Sequence, residues 1–268
     1  MENSEAWQLK MFKKTLKKRL RLKNLKKILG RDLQGKKCLL VTCGDNNGAM
    51  NYYLRELGGE WSWADLETKS LREMEELLGE EVKHVQQDRL PYADNTFDCI
   101  VSIDVHEHLE EPYTFTKELA RIVKPLGRVI ITVPGGQKTK IVNMMKNFVG
   151  MTKEKYGHFH EGYSVSQIKE IMLKSNLQPD GHRTFSHFFT ELIELGINFL
   201  YVNVLSKKGE REVEEGTIAP ATQDQLKSVE KSYKLYSLVF PIFWLITRLD
   251  YLLFFTRGYV TIVEGKKP

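Results

Sequence analysis

Residues 38–48 read CLLVTCGDNNG, an apolar run that ends in a polar turn containing Gly44 and Gly48. A short apolar run bounded by turn residues is typical of a buried strand. Glycine lets the backbone approach a ligand closely, and a helix that starts after such a turn exposes free N–H groups. The stretch predicts the first strand of an α/β sheet with a ligand at its carboxyl end, although many α/β turns contain glycine.

Short apolar runs alternate with longer amphipathic ones after this turn. Strands are predicted at Cys38–Cys43, Trp61–Asp65, Val82–Gln86, Asp98–Asp104, Arg128–Val133, Gln178–Phe185 and Gly258–Val263. Helices are predicted at Met50–Leu57, Leu71–Leu78, Thr114–Val123 and Gln167–Leu177. This alternation indicates βαβ units and a doubly wound, mostly parallel sheet, with the last two strands adjacent and the final one antiparallel.

Acidic residues follow the predicted strands at regular intervals. Asp65 ends the second strand, Asp88 follows the third, and Asp104 ends the fourth. Ligands of open α/β sheets bind beyond the carboxyl ends of the strands, so these acids are expected at one site together with Gly44. A carboxylate about twenty residues after the glycine turn is placed to accept hydrogen bonds from ribose hydroxyls.

Residues 38–136 resemble the core of the small-molecule, S-adenosylmethionine (SAM)-dependent methyltransferases of class I, of the UbiE and "type 11" kind. The segments that carry the resemblance are Asp88–Pro91, Asp94–Asp98, Val105–Leu109 and Leu119–Gly127. The resemblance implies a seven-stranded Rossmann-like sheet and SAM as the cofactor. It implies cofactor contacts from the residues near the first four strand ends: Thr42, Gly44, Asp45 and Asn46 at the methionine part, Asp65 at the ribose, Leu66, Asp88, Arg89 and Leu90 around the adenine, and Asp104 near the sulfonium.

The glycine turn departs from the family pattern at three positions. The family usually has an acid where this chain has Leu40, and glycines where it has Thr42 and Asn46. Asparagine tolerates left-handed backbone better than most residues, so Asn46 is expected to preserve the turn, whereas the β-branched Thr42 narrows it. A non-catalytic copy of the fold is therefore an alternative interpretation.

Methyl transfer is an in-line displacement, so orientation supplies much of the rate and a base is needed only if the acceptor loses a proton. His108 matches a histidine common in the family, and His158 and His160 lie in a segment that resembles the family's acceptor-side lid. These three histidines are the catalytic candidates, beside the structural role that each could have. No histidine or cysteine has metal-ligand spacing, so no metal is indicated.

A basic segment precedes the first strand. Thirteen Lys or Arg and a single acid, Asp32, lie between Lys10 and Lys37, while the net charge of the whole chain is +5. Its leucines recur at near-helical spacing. Residues 1–37 are therefore expected to form a basic amphipathic helix that lies on an anionic membrane, binds RNA, or packs on the domain.

A second unusual segment lies late in the chain. Phe188–Leu205 and Tyr233–Phe255 are apolar, and Lys207–Gln225 between them is polar. The apolar run Tyr236–Thr247 is too short for a spanning helix, but its aromatic content suits the membrane interface. Packing against the sheet is the other interpretation of this run.

These segments divide the chain into a basic helix (1–37), a SAM-binding core (38–187), an apolar helical insertion (188–257), and the last strand with its tail (258–268). Three cysteines without metal spacing fit a reduced compartment. The prediction is a methyltransferase bound peripherally at the cytoplasmic face of an anionic membrane, acting on a lipid-like or lipid-linked acceptor. The alternatives are an RNA or soluble small-molecule methyltransferase, or a non-catalytic subunit.

Overall fold

The computed structural model describes residues 5–30, 33–200 and 222–268. Seven strands form one sheet: β1 (Lys37–Thr42), β2 (Glu60–Asp65), β3 (Val82–His84), β4 (Phe97–Ile103), β5 (Val123–Pro134), β6 (Gln178–Phe185) and β7 (Val260–Lys266). Their order is β3-β2-β1-β4-β5-β7-β6. Strand β7 runs antiparallel to both neighbours, and the other pairs are parallel. The predicted doubly wound sheet and its antiparallel last strand are confirmed.

Nine α-helices in the described residues surround the sheet: α1 (Trp7–Phe12), α2 (Lys17–Leu29), α3 (Ala49–Arg55), α4 (Leu71–Leu78), α5 (Pro112–Ile122), α6 (Ile141–Phe148), α7 (Val165–Lys174), α8 (Phe188–Leu200) and α9 (Gln223–Thr247). Two core layers lie on opposite faces of the sheet, because successive β1 side chains alternate between them. Leu39 and Val41 belong to one layer, and Cys38 and Leu40 to the other. Leu40 thus occupies a fully apolar position.

The basic N-terminal segment forms two helices and not one. The chain turns between α1 and α2, where the Thr15 hydroxyl donates to the Phe12 carbonyl (2.8 Å). Leu25 and Leu29 of α2 are buried in the core layer that also contains Trp63. The apolar face of this arm is therefore part of the fold, and its outward face keeps exposed charges at Lys13, Arg19, Lys23 and Lys27.

The apolar insertion starts and ends at one edge of the sheet, because Phe185 at the end of β6 is paired with Val260 at the start of β7. Helices α8 and α9 pack against each other there. Asp250 accepts the backbone N–H groups of His187, Phe189 and Thr190 (2.8–3.2 Å), which fixes the end of the insertion to its beginning. The predicted polar loop Lys207–Gln225 lies largely outside the described residues.

The late helix is longer than the sequence indicates. α9 has 25 residues, continues through Pro241, and is followed by a 3-10 turn at Arg248–Leu253. Glu230–Leu253 is long and apolar enough to cross a membrane by length and composition, so the expectation that this segment is too short is wrong. Core helices of soluble proteins meet the same criterion when they are buried, but only 11% of the most apolar window is buried here.

Candidate active site

Two adjoining cavities open at the carboxyl ends of the strands. An open cleft of about 620 Å³ lies beyond β1, β2 and β3 and is lined by Cys43, Leu66, Glu67, His84, Asp88 and His108, among others. A more enclosed cavity of about 470 Å³ lies beyond β4 and β5, with Asp104 and Glu107 in its wall. His108 lines both cavities. This is the edge where the strand order predicts a ligand.

Asp65, which is predicted at the ribose, does not line the cleft. Its carboxylate is fully buried and accepts the Thr42 hydroxyl (2.5 Å) and the N–H groups of Gly44 and Glu67 (both 2.8 Å). Burial raises the pKa of Asp65 to about 6, against the lowering effect of these three donors. Asp65 therefore shapes the turn, and Thr42 supports it from behind instead of narrowing the approach.

Asn46 preserves the turn through its side chain and not through a left-handed backbone, since its φ is not positive. The buried amide donates to Asn51 Oδ1 (2.6 Å) and accepts the Gly48 N–H (3.1 Å). The left-handed positions in the turn are Gly44 (φ 70°) and Gly48 (φ 88°). Where the family has glycines, Thr42 and Asn46 thus hold the turn through side-chain hydrogen bonds.

The cleft fits the adenosine part of SAM. Gly44 is tightly covered, since a Cβ atom there would lie 3.0 Å from Cγ of Glu67. The exposed carboxylates of Glu67 and Asp88 and the half-buried Leu66 all border the cleft. These residues offer acceptors for hydroxyl or amine groups beside an apolar surface. Glu67, which the sequence did not single out, is in the better place for the ribose.

The cofactor contacts expected of Leu90 and Arg89 are not seen in the cleft. Leu90 is 1% exposed and belongs to the core layer beneath the cleft, so it cannot present its side chain to an adenine. Its N–H donates to Glu118 (3.0 Å). Arg89 is exposed and does not line the cleft. Asp88 keeps its predicted place at the edge.

The basic arm reaches the strand ends, a contact that the sequence did not indicate. Arg21 of α2 forms an ion pair with Asp104 (2.6 Å), and Lys18 lies 3.7 Å from a carboxylate oxygen of Asp45. Arg21 is 6% exposed, and Asp104 has a left-handed backbone (φ 48°). The two acids expected near the methionine and sulfonium therefore face a cationic helix, which covers this side of the enclosed cavity.

The histidines differ in their surroundings. The rings of His108 and His158 meet edge to face with centroids 4.5 Å apart, and both line the enclosed cavity. Burial lowers the pKa of His158 to about 3, so its ring is neutral at physiological pH. His160 does not line the cavity and packs on Tyr163. His158 thus stands closer to the acceptor side than His160.

Glu107 is the acid next to His108 and His158, a grouping that the sequence spacing does not indicate. One ligand atom from each of Glu107, His108 and His158 lies within 4.8 Å of the other two. Glu107 is 1% exposed and neither carboxylate oxygen has a hydrogen-bond partner. Burial raises the pKa of this carboxyl well above its ordinary value. Glu107 was visible in the sequence only as part of the motif around His108.

Comparisons with known proteins agree with this geometry. The profile of the family described as "Methyltransferase domain" matches residues 39–131. No curated protein matches the chain in sequence. Similar solved structures include a Bacillus halodurans protein assigned as a methyltransferase, with a TM-score of 0.57, 14% identity, and coverage of 92% of this chain and 98% of that chain.

Two further solved structures with a similar fold differ in the reactions of their proteins. Phosphoethanolamine N-methyltransferase 2 of Haemonchus contortus, solved with S-adenosylhomocysteine and phosphomonomethylethanolamine, has a TM-score of 0.58, 17% identity, and coverage of 93% of this chain and 52% of that chain. The cyclase SpnF has a TM-score of 0.56, 13% identity, and coverage of 94% and 81%. Because one relative is a cyclase, the fold alone does not determine the reaction.

The seven-stranded sheet and the cleft show the fold of the class I SAM-dependent methyltransferases, and residues 39–131 match the methyltransferase domain. S-adenosylmethionine is the cofactor that the cleft fits, and the Haemonchus enzyme has been solved with it. When bound, SAM supplies the methyl group. Leu66, Glu67 and Asp88 would hold its adenosine part in the cleft.

Glu67→Ala is expected to weaken the binding of S-adenosylhomocysteine about tenfold or more, since a charge-assisted hydrogen bond contributes on the order of 1.5–3 kcal/mol. Calorimetric titration measures this change. Glu60→Ala is the matched control, because Glu60 is an exposed glutamate at the opposite end of β2. Equal affinity of the wild type and Glu67→Ala would remove Glu67 from the cofactor site.

Proposed function

We propose that this methyltransferase works at the cytoplasmic surface of an anionic membrane and methylates a lipid-like or lipid-linked acceptor. The observation that supports the proposal is that the enclosed cavity extends from the strand ends to the apolar helices α8 and α9. One end is bounded by Asp104 and His108 at the strand ends, and the other by apolar side chains of α8 and α9: Ile197, Leu200, Leu235, Val239 and Phe243. Such a cavity suits an acceptor with a polar reacting end and an apolar chain.

The outer surface of α9 and of the segment that follows it, up to Phe255, is apolar and exposed. Exposed fractions reach 77% at Leu238, 65% at Leu245 and 83% at Phe254. We call these side chains and their exposed neighbours the apolar face: Leu235, Leu238, Ile242, Trp244, Leu245, Leu249, Tyr251, Leu252, Phe254 and Phe255. Exposed patches of this kind mark interaction sites, and aromatic rings favour the headgroup boundary.

The basic arm lies directly beside this apolar face. Nζ of Lys23 is 3.3 Å from the Tyr251 hydroxyl, and Lys14 lies over the ring of Tyr233. The Tyr236 hydroxyl donates to the Lys14 carbonyl. A cationic strip beside an apolar strip matches an anionic headgroup layer above an acyl layer, and the cytoplasmic leaflet carries such negative charge.

Peripheral binding of the insertion to the membrane surface agrees better with the fold than a single transmembrane helix does. Strands β6 and β7 are neighbours in one sheet, so both ends of the insertion lie on the same side of any membrane. A helix that crossed once would need a second crossing to return. The described part of α8 has 13 residues, fewer than the roughly 20 that a crossing takes.

Mass spectrometry of lipid extracts after incubation with methyl-labelled SAM tests the proposal. Label is expected in the organic phase when anionic vesicles are present. The same reactions with total RNA and with a water-soluble metabolite extract test the two enzymatic alternatives, and label confined to either of them would overturn the proposal. A non-catalytic subunit would bind SAM without turnover, so SAM binding in a calorimetric titration together with no label in any of the three reactions would identify that alternative.

A further inference from the structure

We propose that Glu107, His108 and His158 form a divalent-cation site at the acceptor end of the enclosed cavity. One ligand atom from each of the three side chains lies within 4.8 Å of the others, close enough for a single ion to contact all three after small rotations. Glu107 and His108 are neighbours in the 3-10 turn that follows β4, and His158 comes from the segment before α7.

Glu107 shows why a ligand is needed at this position. Its side chain is 1% exposed, it borders the cavity, and both carboxylate oxygens lack a hydrogen-bond partner in the described structure. A buried carboxyl group without partners is unfavourable, because it has lost its hydrogen bonds to water and gained none in the protein. A cation contacting both its oxygens and the two rings would remove that cost.

Backbone hydrogen bonds hold the three ligand residues close to one another. The N–H of His160 donates to the carbonyl of Glu107 (3.1 Å), which fixes the segment carrying His158 against the turn. The hydroxyl of Tyr163 donates to the carbonyl of His106 in the same turn (3.3 Å). The arrangement therefore does not depend on a chance approach of two loops.

A ligand set of two imidazoles and one carboxylate favours a transition-metal ion. Catalytic zinc binds such a set and keeps an open position, and non-haem iron(II) uses the same combination. Magnesium and calcium prefer all-oxygen sites. We therefore infer a transition-metal ion of the zinc type, with its open position facing the cavity.

The cation site favours an acceptor oxygen over an acceptor nitrogen. The step described next rests on the proposed function. A cation lowers the pKa of a bound hydroxyl and makes it a nucleophile near neutral pH. The acceptor oxygen then forms a bond to the methyl carbon while the carbon–sulfur bond of SAM breaks. The products are a methyl ether and S-adenosylhomocysteine, and the hydroxyl proton passes to solvent through the open cleft.

Cobalt(II) titration of the untagged full chain, followed by visible absorption, tests the site without SAM or acceptor. The wild type is expected to give a saturable absorption band at one equivalent, which zinc abolishes by competition. Glu107→Gln and His158→Gln are each expected to weaken cobalt binding at least tenfold, about the lower limit seen when groups supporting a metal site are removed. His182→Gln changes an exposed histidine on β6 and should titrate like the wild type.

Circular dichroism measures whether each variant folds. If Glu107→Gln does not fold, the result for His158→Gln, whose residue lies on a loop, decides the test. The absence of a saturable band in the wild type, or coinciding curves for the wild type and His158→Gln, would overturn the cation site. Because this titration needs no methyl transfer, its failure is distinct from failure of the lipid-acceptor proposal. Methylation of lipid nitrogen by a protein that binds no cobalt would contradict the cation site alone.

Discussion

Replacing Leu238, Leu245 and Phe254 together by serine is expected to weaken binding to anionic vesicles by about 10³-fold. Each of these side chains is 65–83% exposed, so each can enter the acyl boundary. Burial of one such side chain contributes roughly 1.5 kcal/mol or more, and 1.4 kcal/mol corresponds to tenfold in affinity. Flotation of the full chain with vesicles measures the change, and titration with S-adenosylhomocysteine should be unaffected.

The matched control replaces two exposed leucines away from the apolar face. Leu126 is 80% exposed in β5, and Leu173 is 53% exposed on α7. Serine at both positions should leave flotation unchanged. Equal loss in the control and in the triple variant would show that general surface hydrophobicity, and not the apolar face, drives the binding.

Deleting the basic arm is not a clean test of its charges. Leu25 and Leu29 are part of the core, so deletion exposes apolar surface and disturbs the fold. The arm also supplies Arg21 to Asp104 and Lys17 to Glu191. The role proposed for its charges at the membrane is therefore tested by substituting the outward-facing residues Lys13, Arg19, Lys23 and Lys27.

Glu191→Gln is expected to lower the free energy of unfolding by about 3 kcal/mol at neutral pH. Glu191 is fully buried and forms ion pairs with Lys17 and Lys146, each at 3.0 Å, while accepting the Ser186 hydroxyl (2.6 Å). Removing one partner of a buried pair leaves the other charges without compensation. This cluster joins the arm, α6 and α8, so the loss should also loosen the cover of the enclosed cavity.

The pH dependence of stability provides an independent check on Glu191. Burial alone would raise its pKa, but Lys146 and Lys17 outweigh burial and hold the pKa below the ordinary value of 4.5. A lowered carboxyl pKa stabilises the fold above the unfolded-state value, and this contribution is lost as the pH falls through the folded-state pKa. The wild type and Glu191→Gln should therefore converge in stability in acid.

Denaturant unfolding measures both effects. Glu170→Gln is the control, because Glu170 pairs with Lys174 on the exposed face of α7 and such pairs contribute at most about 1 kcal/mol. A Glu191→Gln variant as stable as Glu170→Gln at neutral pH would show that the buried cluster does not hold the arm in place.

Most of the sheet was predictable because strands such as β1 and β4 are short apolar runs that end in turn residues. Gln178–Phe185 was predicted to the residue, and its pairing with the last strand follows from the fold. The position of the site also followed, since parallel strands bring their carboxyl ends to one edge. Asp88, Asp104 and His108 accordingly border the two cavities.

The direction of individual side chains was not predictable from one sequence. The side chain of an acid at a strand end can point into the glycine turn or into the cleft. That of Asp65 points into the turn, because it accepts hydrogen bonds there from Thr42 and from two backbone N–H groups. Glu67, two residues later, then borders the cleft. Arg21 and Asp104 are 83 residues apart, so no local pattern indicates their contact.

Labelled-methyl transfer to lipid by Val239→Trp tests the central claim, that the acceptor occupies the cavity between the strand ends and the apolar helices. Val239 lines this cavity, so an indole ring there should occupy the space of the acceptor chain. Its neighbour Leu238 is 77% exposed and does not line the cavity, so Leu238→Trp is the matched control. We expect Val239→Trp to lose at least about 100-fold in transfer, as misplacement of a substrate does, while SAM binding and vesicle binding are retained. Transfer by Val239→Trp at the rate of Leu238→Trp would contradict the account.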